Sequence, residues 1–138
     1  MTTLKDLMTP NPLTVSTDTP VADAARYMRD EGIGDVIVTD GETVQGIVTD
    51  RDIVIRAVAD GLDTATTTVG DICSTDLATL SPDAEVEEAV TLMRERALRR
   101  LPVVEKGKPV GIVSIGDLAM ERDEDSALAD ISAAPPNE

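Results

Sequence analysis

Gly46-Ile47-Val48-Thr49-Asp50-Arg51-Asp52 returns 65 positions later as Gly111-Ile112-Val113-Ser114-Ile115-Gly116-Asp117. Each stretch runs from a glycine through two β-branched residues to a hydroxyl, with an aspartate three positions further on. An apolar run closed by a hydroxyl and an acid at that spacing is the pattern of a strand passing directly into a helix. Carried outward at the same offset, residues 4 to 56 align with 69 to 121 without a gap, and 13 pairs are identical. These are Asp6/Asp71, Thr14/Thr79, Ser16/Ser81, Asp18/Asp83, Val21/Val86, Ala24/Ala89, Met28/Met93, Arg29/Arg94, Val38/Val103, Gly46/Gly111, Ile47/Ile112, Val48/Val113 and Asp52/Asp117. An ungapped register that also keeps the apolar positions in phase marks an internal duplication.

Each copy predicts the same order of elements. A short strand, Leu13 to Val15 or Ala78 to Leu80, precedes a helix that Thr19 can cap, with Pro20 in its first turn. Val21, Ala24, Ala25 and Met28 form the inward stripe of that helix, repeated by Val86, Ala89, Val90 and Met93. Val36 to Thr39 and Val44 to Val48 read as strands joined through Asp40 and Gly41; Leu101 to Val104 and Val110 to Val113 are their counterparts around Gly107. A closing helix after Thr49 is expected to bury Ile53, Val54, Ala57 and Val58 and to stop at Gly61. Copy two starts the equivalent with Leu118 and Ala119. The organisation is thus a first unit over 1–60, a connector over 61–68, a second unit over 69–122 and an acidic tail over 123–138, in which Ser126 to Ile131 is compatible with a short helix.

Composition narrows the chemistry. The chain has 138 residues, 41% hydrophobic and 28% charged, which suits one ordinary domain or two very small ones. Twelve basic against 27 acidic side chains give a net charge of −15, which repels a phosphate backbone and argues against nucleic-acid partners. No apolar run is long enough to span a membrane, for which about 20 residues are needed. There is no histidine, tryptophan or phenylalanine, and one tyrosine and one cysteine. The imidazole of a catalytic triad is therefore missing, most zinc ligand sets are out of reach, and no internal disulfide can form. No catalytic residue and no metal site is assigned, and a cytoplasmic location is expected. Cys73 takes the place of Met8 and reads as a small apolar filler; Tyr27 reads as packing.

Two uses of the repeated junction remain open. As a capping box, the Thr49 or Ser114 hydroxyl takes a free helix N–H while Asp52 or Asp117 bonds back. As a ligand site, the helix N-terminus holds a phosphate and the carboxylate accepts from ribose hydroxyls. At aligned positions Gly34-Asp35 faces Arg99-Arg100, so the charge at the entry to the second strand reverses between copies. Arg99 and Arg100 are candidate phosphate ligands, Arg94 and Arg96 fit pairing with surrounding acids, and Asp35 would repel a phosphate.

With both Gly-hydrophobic-x-Thr/Ser-x-x-Asp motifs in place, the Asp6-Leu7-Met8-Thr9 opening, the Thr14-Val15 strand and the Arg100-Leu101-Pro102-Val103 segment, residues 4 to 122 resemble the cystathionine β-synthase (CBS) domain family. The resemblance implies an α+β (α/β-like) fold of two tandem β-α-β-β-α units, packed through their sheets with pseudo-twofold symmetry. It implies ribose binding by Asp52 and Asp117 and phosphate binding by Thr49, Arg51, Ser114, Arg99 and Arg100. Thr14, Val15, Gly34, Asp35, Val36, Thr79, Leu80, Leu101 and Pro102 would line the clefts. The expected function is non-enzymatic regulation, needing no resident cofactor, by an adenine nucleotide or related ligand (AMP, ATP or S-adenosylmethionine), acting in a homodimer or on a regulated protein. The alternative is a nucleotide-free dimeric scaffold, associated with stress, whose clefts are vestigial. A phosphohydrolase built on paired carboxylates and a metal is disfavoured, because no motif positions a nucleophilic water.

Overall fold

The computed structural model describes residues 2–75 and 77–122. The Asp123 to Asp125 cluster and the expected helix at Ser126 to Ile131 lie outside the described residues. The order of elements is α1 (Leu4–Leu7), β1 (Thr9–Pro10), β2 (Thr14–Ser16), α2 (Val21–Glu31), β3 (Asp35–Asp40), β4 (Thr43–Thr49), α3 (Asp50–Asp52), a π-helical stretch (Ile53–Val58), α4 (Val69–Ile72), α5 (Val86–Arg96), β5 (Arg100–Glu105), β6 (Lys108–Ser114) and α6 (Ile115–Arg122). It is a mixed α+β fold with two three-stranded sheets, ordered β2-β3-β4 and β1-β6-β5.

Two compact units emerge, and they are not simply the two sequence copies. Unit I comprises Pro12–Leu77 with Gly107–Pro109; unit II comprises the leading residues to Asn11, Ala78–Lys106 and the chain from Val110. Each copy thus gives its opening segment to the unit built on the other. In unit II, the first-turn N–H groups of Leu4 and Lys5 donate to the carbonyls of Ala84 and Pro82, both at 2.9 Å. In unit I, Val69 and Gly70 donate to Thr19 and Thr17 at 2.8 and 2.9 Å, the same bonds 65 residues later. Helix N-termini leave orphan donors, and here the turn ahead of α2 or α5 satisfies them. Leu4 is fully buried among Ala84, Val86, Ala89, Met93, Leu101, Val103, Val113 and Leu118. Val69 and Ile72 fill the equivalent place among Val15, Val21, Met28, Val36, Val38 and Val48. Burying a side chain of this size stabilises by about 1.5–3 kcal/mol, so the exchanged segments are structural members of their host cores.

The exchange explains the repeated glycine. After α4 the chain crosses β4 through an antiparallel Ile47↔Ser74 bridge, and after α1 it pairs with β6 through Thr9↔Ile112. A Cβ on Gly46 would collide with the Ser74 carbonyl and lie 3.0 Å from the Cys73 sulfur; one on Gly111 would collide with the Met8 thioether. Only glycine leaves room for the crossing strand.

Several boundaries differ from the sequence reading. Helix α2 begins at Val21 with Pro20 as its N-cap, not Thr19. The reason is that its first donors are satisfied by backbone: Val21 and Ala22 donate to the carbonyls of Thr67 and Thr64 at 2.8 and 2.9 Å, so the connector itself caps the helix. The strand expected at Ala78 to Leu80 shrinks to one parallel bridge, Leu80↔Val103. In unit I, Ile37 donates to Leu13 at 3.2 Å; its counterpart Pro102 has no N–H to give, so the ladder loses that rung. The closing helix of copy one widens to a π-helix whose inward stripe is Ile53 and Ala57 alone. Val54 and Val58, expected in the core, are 58% and 59% exposed. Tyr27 is also exposed, on the side of α2 away from the Val21, Ala24 and Met28 stripe.

Candidate functional site

The two junctions share a capping geometry. In unit I the Thr49 N–H donates to Asp52 Oδ2 and the Asp52 N–H donates to Thr49 Oγ1, both at 3.0 Å. In unit II the Ser114 N–H donates to Asp117 Oδ2 at 2.8 Å, and the Asp117 N–H to Ser114 Oγ at 3.2 Å. The reciprocal pair satisfies two backbone donors and fixes both carboxylates beside the end of the strand. Capping therefore accounts for the motif without excluding a ligand, because each carboxylate keeps a second oxygen and each hydroxyl keeps its proton to donate. Asp6 and Asp71 repeat the capping box at α1 and α4, their carboxylates accepting from the N–H groups of Thr3 and Thr68 at 3.4 and 3.2 Å.

The preceding strand completes each junction. Asp35 lies opposite Thr49 in the β3–β4 ladder, and the Asp50 N–H donates to the Gly34 carbonyl at 2.9 Å. In unit II the Ile115 N–H donates to the Arg99 carbonyl at 2.8 Å. Thus Gly34, Asp35, Thr49, Arg51 and Asp52 come together in one unit, and Arg99, Arg100, Ser114 and Asp117 in the other. Arg99 and Arg100 are exposed at the mouth of β5. Arg94 and Arg96 instead occupy the last turn of α5, where cations complement the helix dipole.

Not every residue expected to line a cleft offers a side chain. Thr14 and Thr79 are exposed, and Gly34, Asp35 and Leu80 are partly so. Val15, Val36 and Leu101, however, point into the cores of their own units, at 6%, 1% and 0% exposure. Pro102 is buried as well. The strand period of two explains Val15, which turns inward while Thr14 and Ser16 turn out.

Two side chains absent from the sequence reading shape unit I. Asp50 accepts from the Arg51 N–H through Oδ1 at 2.8 Å. Arg56 places Nε 3.8 Å from Asp52 Oδ1 and donates from Nη1 to the Ile72 carbonyl at 3.0 Å, tying the junction to the incoming α4 segment. The alignment did carry a signal for both: their counterparts are Ile115 and Glu121, changes of charge within the aligned repeat. Nearby, burial pushes the Cys73 thiol up, and the Asp52 carboxylate adds to the effect.

Paired strand-to-helix junctions of this type, one per copy of a β-α-β-β-α repeat, define a tandem CBS-domain protein. The CBS domain model matches residues 4–58 and 69–124, and the chain belongs to that family. It is 38% identical over 136 residues to the CBS domain-containing protein YhcV of Bacillus subtilis, covering 96% of both chains. It is 34% identical over 134 residues to hypoxic response protein 1 of Mycobacterium tuberculosis, covering 96% of this chain and 94% of that one. The crystal structure of Hypoxic Response Protein I with two coordinated zinc ions superposes at a TM-score of 0.81, with 34% identity over 88% of this chain and 99% of that one. CBSX2 in complex with AMP superposes at 0.76, with 28% identity over 90% and 98%. Family members are typically regulatory, non-catalytic modules that often bind nucleotides.

Proposed function

We propose that the protein is a non-enzymatic sensor of an adenosine-containing ligand of the AMP or ATP type. The single observation that carries this reading is the duplicated aspartate, Asp52 and Asp117, its carboxylate held by the backbone N–H of Thr49 or Ser114 at a strand-to-helix junction in a family that includes an AMP-bound relative. Asp52 and Asp117 accept from ribose hydroxyls; Thr49, Arg51, Ser114, Arg99 and Arg100 are the phosphate-side groups. Occupancy changes the relative stability of two arrangements and is transmitted to a second copy or to a regulated protein. The outer face of the π-helix supports a homodimer: Val54, Ile55 and Val58, followed by Leu62, expose an apolar surface of the kind that marks interaction sites.

That same surface favours a second reading, a dimeric scaffold that needs no nucleotide. Thermal unfolding with AMP, ATP and S-adenosylmethionine separates the two. A ligand at 100 times its Kd adds about 2.7 kcal/mol. In a chain of this size that raises Tm by roughly 8–14 °C. No shift with any of the three at millimolar concentration leaves the scaffold.

A further inference from the structure

The two junctions share a backbone geometry and differ in what fills it. In unit I the donors of the first turn are already taken. The Asp50 N–H goes to the Gly34 carbonyl at 2.9 Å, the Arg51 N–H to the Asp50 carboxylate at 2.8 Å, and the Asp52 N–H to Thr49 Oγ1 at 3.0 Å. The second Asp50 oxygen sits 3.1 Å from where a Cβ on Gly34 would stand, so the carboxylate lies over the residue whose counterpart is Arg99. Asp35 and Asp52 place two further acids at the same strand end. In unit II, isoleucine replaces Asp50 and has no acceptor to give, glycine replaces Arg51, and two arginines replace Gly34 and Asp35.

We infer that Asp50 is a specificity-determining residue: its carboxylate occupies the anion position of unit I, so each chain holds one phosphorylated ligand, at the Ser114–Asp117 junction of unit II. A bound phosphate at unit I would have to displace the Asp50 carboxylate from the Arg51 N–H and face Asp35 where unit II presents Arg100. The inference rests on the nucleotide reading above and narrows it: of the phosphate-side groups named there, Ser114, Arg99 and Arg100 hold the phosphate, whereas Thr49 and Arg51 stand at the junction that refuses it.

Calorimetric titration of the full chain with AMP, and with adenosine as the probe lacking phosphate, tests it through two opposite substitutions. The wild type should bind one AMP per chain. Asp50→Ile, which copies unit II, and Asp50→Asn, which keeps the shape and removes the charge, should open a second AMP site, at least tenfold tighter than any residual wild-type binding there. Ile115→Asp should weaken the remaining AMP site at least tenfold while changing adenosine binding less than threefold, a phosphate-dependent split that general loosening of the fold would not produce. Tm measurements establish that each variant is folded, and Ile115→Asp decides the matter if Asp50→Ile is not. Two AMP per wild-type chain, unchanged stoichiometry in both Asp50 variants, or equal weakening of AMP and adenosine by Ile115→Asp overturns the inference while leaving the nucleotide reading intact. No AMP binding by the wild type overturns this inference, and no binding of AMP, ATP or S-adenosylmethionine overturns the nucleotide reading with it.

Discussion

Replacing Gly46 by alanine drives a methyl group into the Ser74 carbonyl and to 3.0 Å from the Cys73 sulfur. Neither neighbour yields easily, because Ser74 is held by its backbone bridge to Ile47 and Cys73 is buried. Gly46 is not among the glycines with positive φ, so alanine can adopt its backbone and recovers about 0.4–1 kcal/mol from the unfolded chain. Overpacking costs about 1–3 kcal/mol, and a clash with fixed backbone belongs at the upper end, which leaves a net loss of about 2 kcal/mol. Gly111→Ala meets chiefly the flexible Met8 thioether, with the Thr9 carbonyl at 3.0 Å, so its net loss should be about 1 kcal/mol or less. In urea, with a slope of roughly 2 kcal/mol per M, Gly46→Ala should lower the midpoint by about 1 M and Gly111→Ala by half of that or less. Cys73 is the single cysteine and sits on the displaced segment, so its labelling under native conditions should accelerate in Gly46→Ala and stay slow in Gly111→Ala. A Gly46→Ala chain as stable as wild type, or one with unchanged Cys73 labelling, would refute the exchanged-segment topology.

Leu4→Ala should cost about 2–5 kcal/mol by chemical denaturation, the loss expected when a fully buried leucine leaves a cavity. Ala97 caps α5 at φ 54°, where its counterpart is Gly32 at φ 66°; Ala97→Gly should raise stability by about 0.5–1 kcal/mol in the same assay. Arg56→Ala removes both the bond to the Ile72 carbonyl and the partner of Asp52, and should cost about 0.5–1.5 kcal/mol with faster Cys73 labelling. Because burial and the Asp52 charge raise the Cys73 pKa on folding, the native chain holds that proton to higher pH than the unfolded one. Its contribution is complete below the unfolded thiol pKa and declines as pH rises through and beyond about 9, so the urea midpoint should fall with pH there, and Cys73→Ala should flatten that slope.

Much of the fold was legible because the chain is written twice. The period of the Val21, Ala24, Met28 stripe and the matching Val86, Ala89, Met93 stripe placed α2 and α5, and the Gly-Ile-Val runs placed β4 and β6. The exchange of opening segments was not legible, since Leu4 and Val69 are apolar whichever unit they enter, and only the paired glycines registered its consequence. The outward turn of Val54 and Val58 was hidden for a related reason: apolar residues at helical spacing predict burial, whereas here a widened helix exposes them. At the site, spacing revealed Thr49/Asp52 and Ser114/Asp117. The roles of Asp50 and Arg56 depend on contacts with Gly34 and Ile72, 16 residues away in each case, which local patterns do not encode.

Equilibrium dialysis of labelled AMP against the full chain and its Asp52→Ala/Asp117→Ala double variant bears most directly on the function. The wild type should retain AMP in saturable fashion and the folded double variant should retain none. Equal retention by the two would show that these aspartates hold no nucleotide.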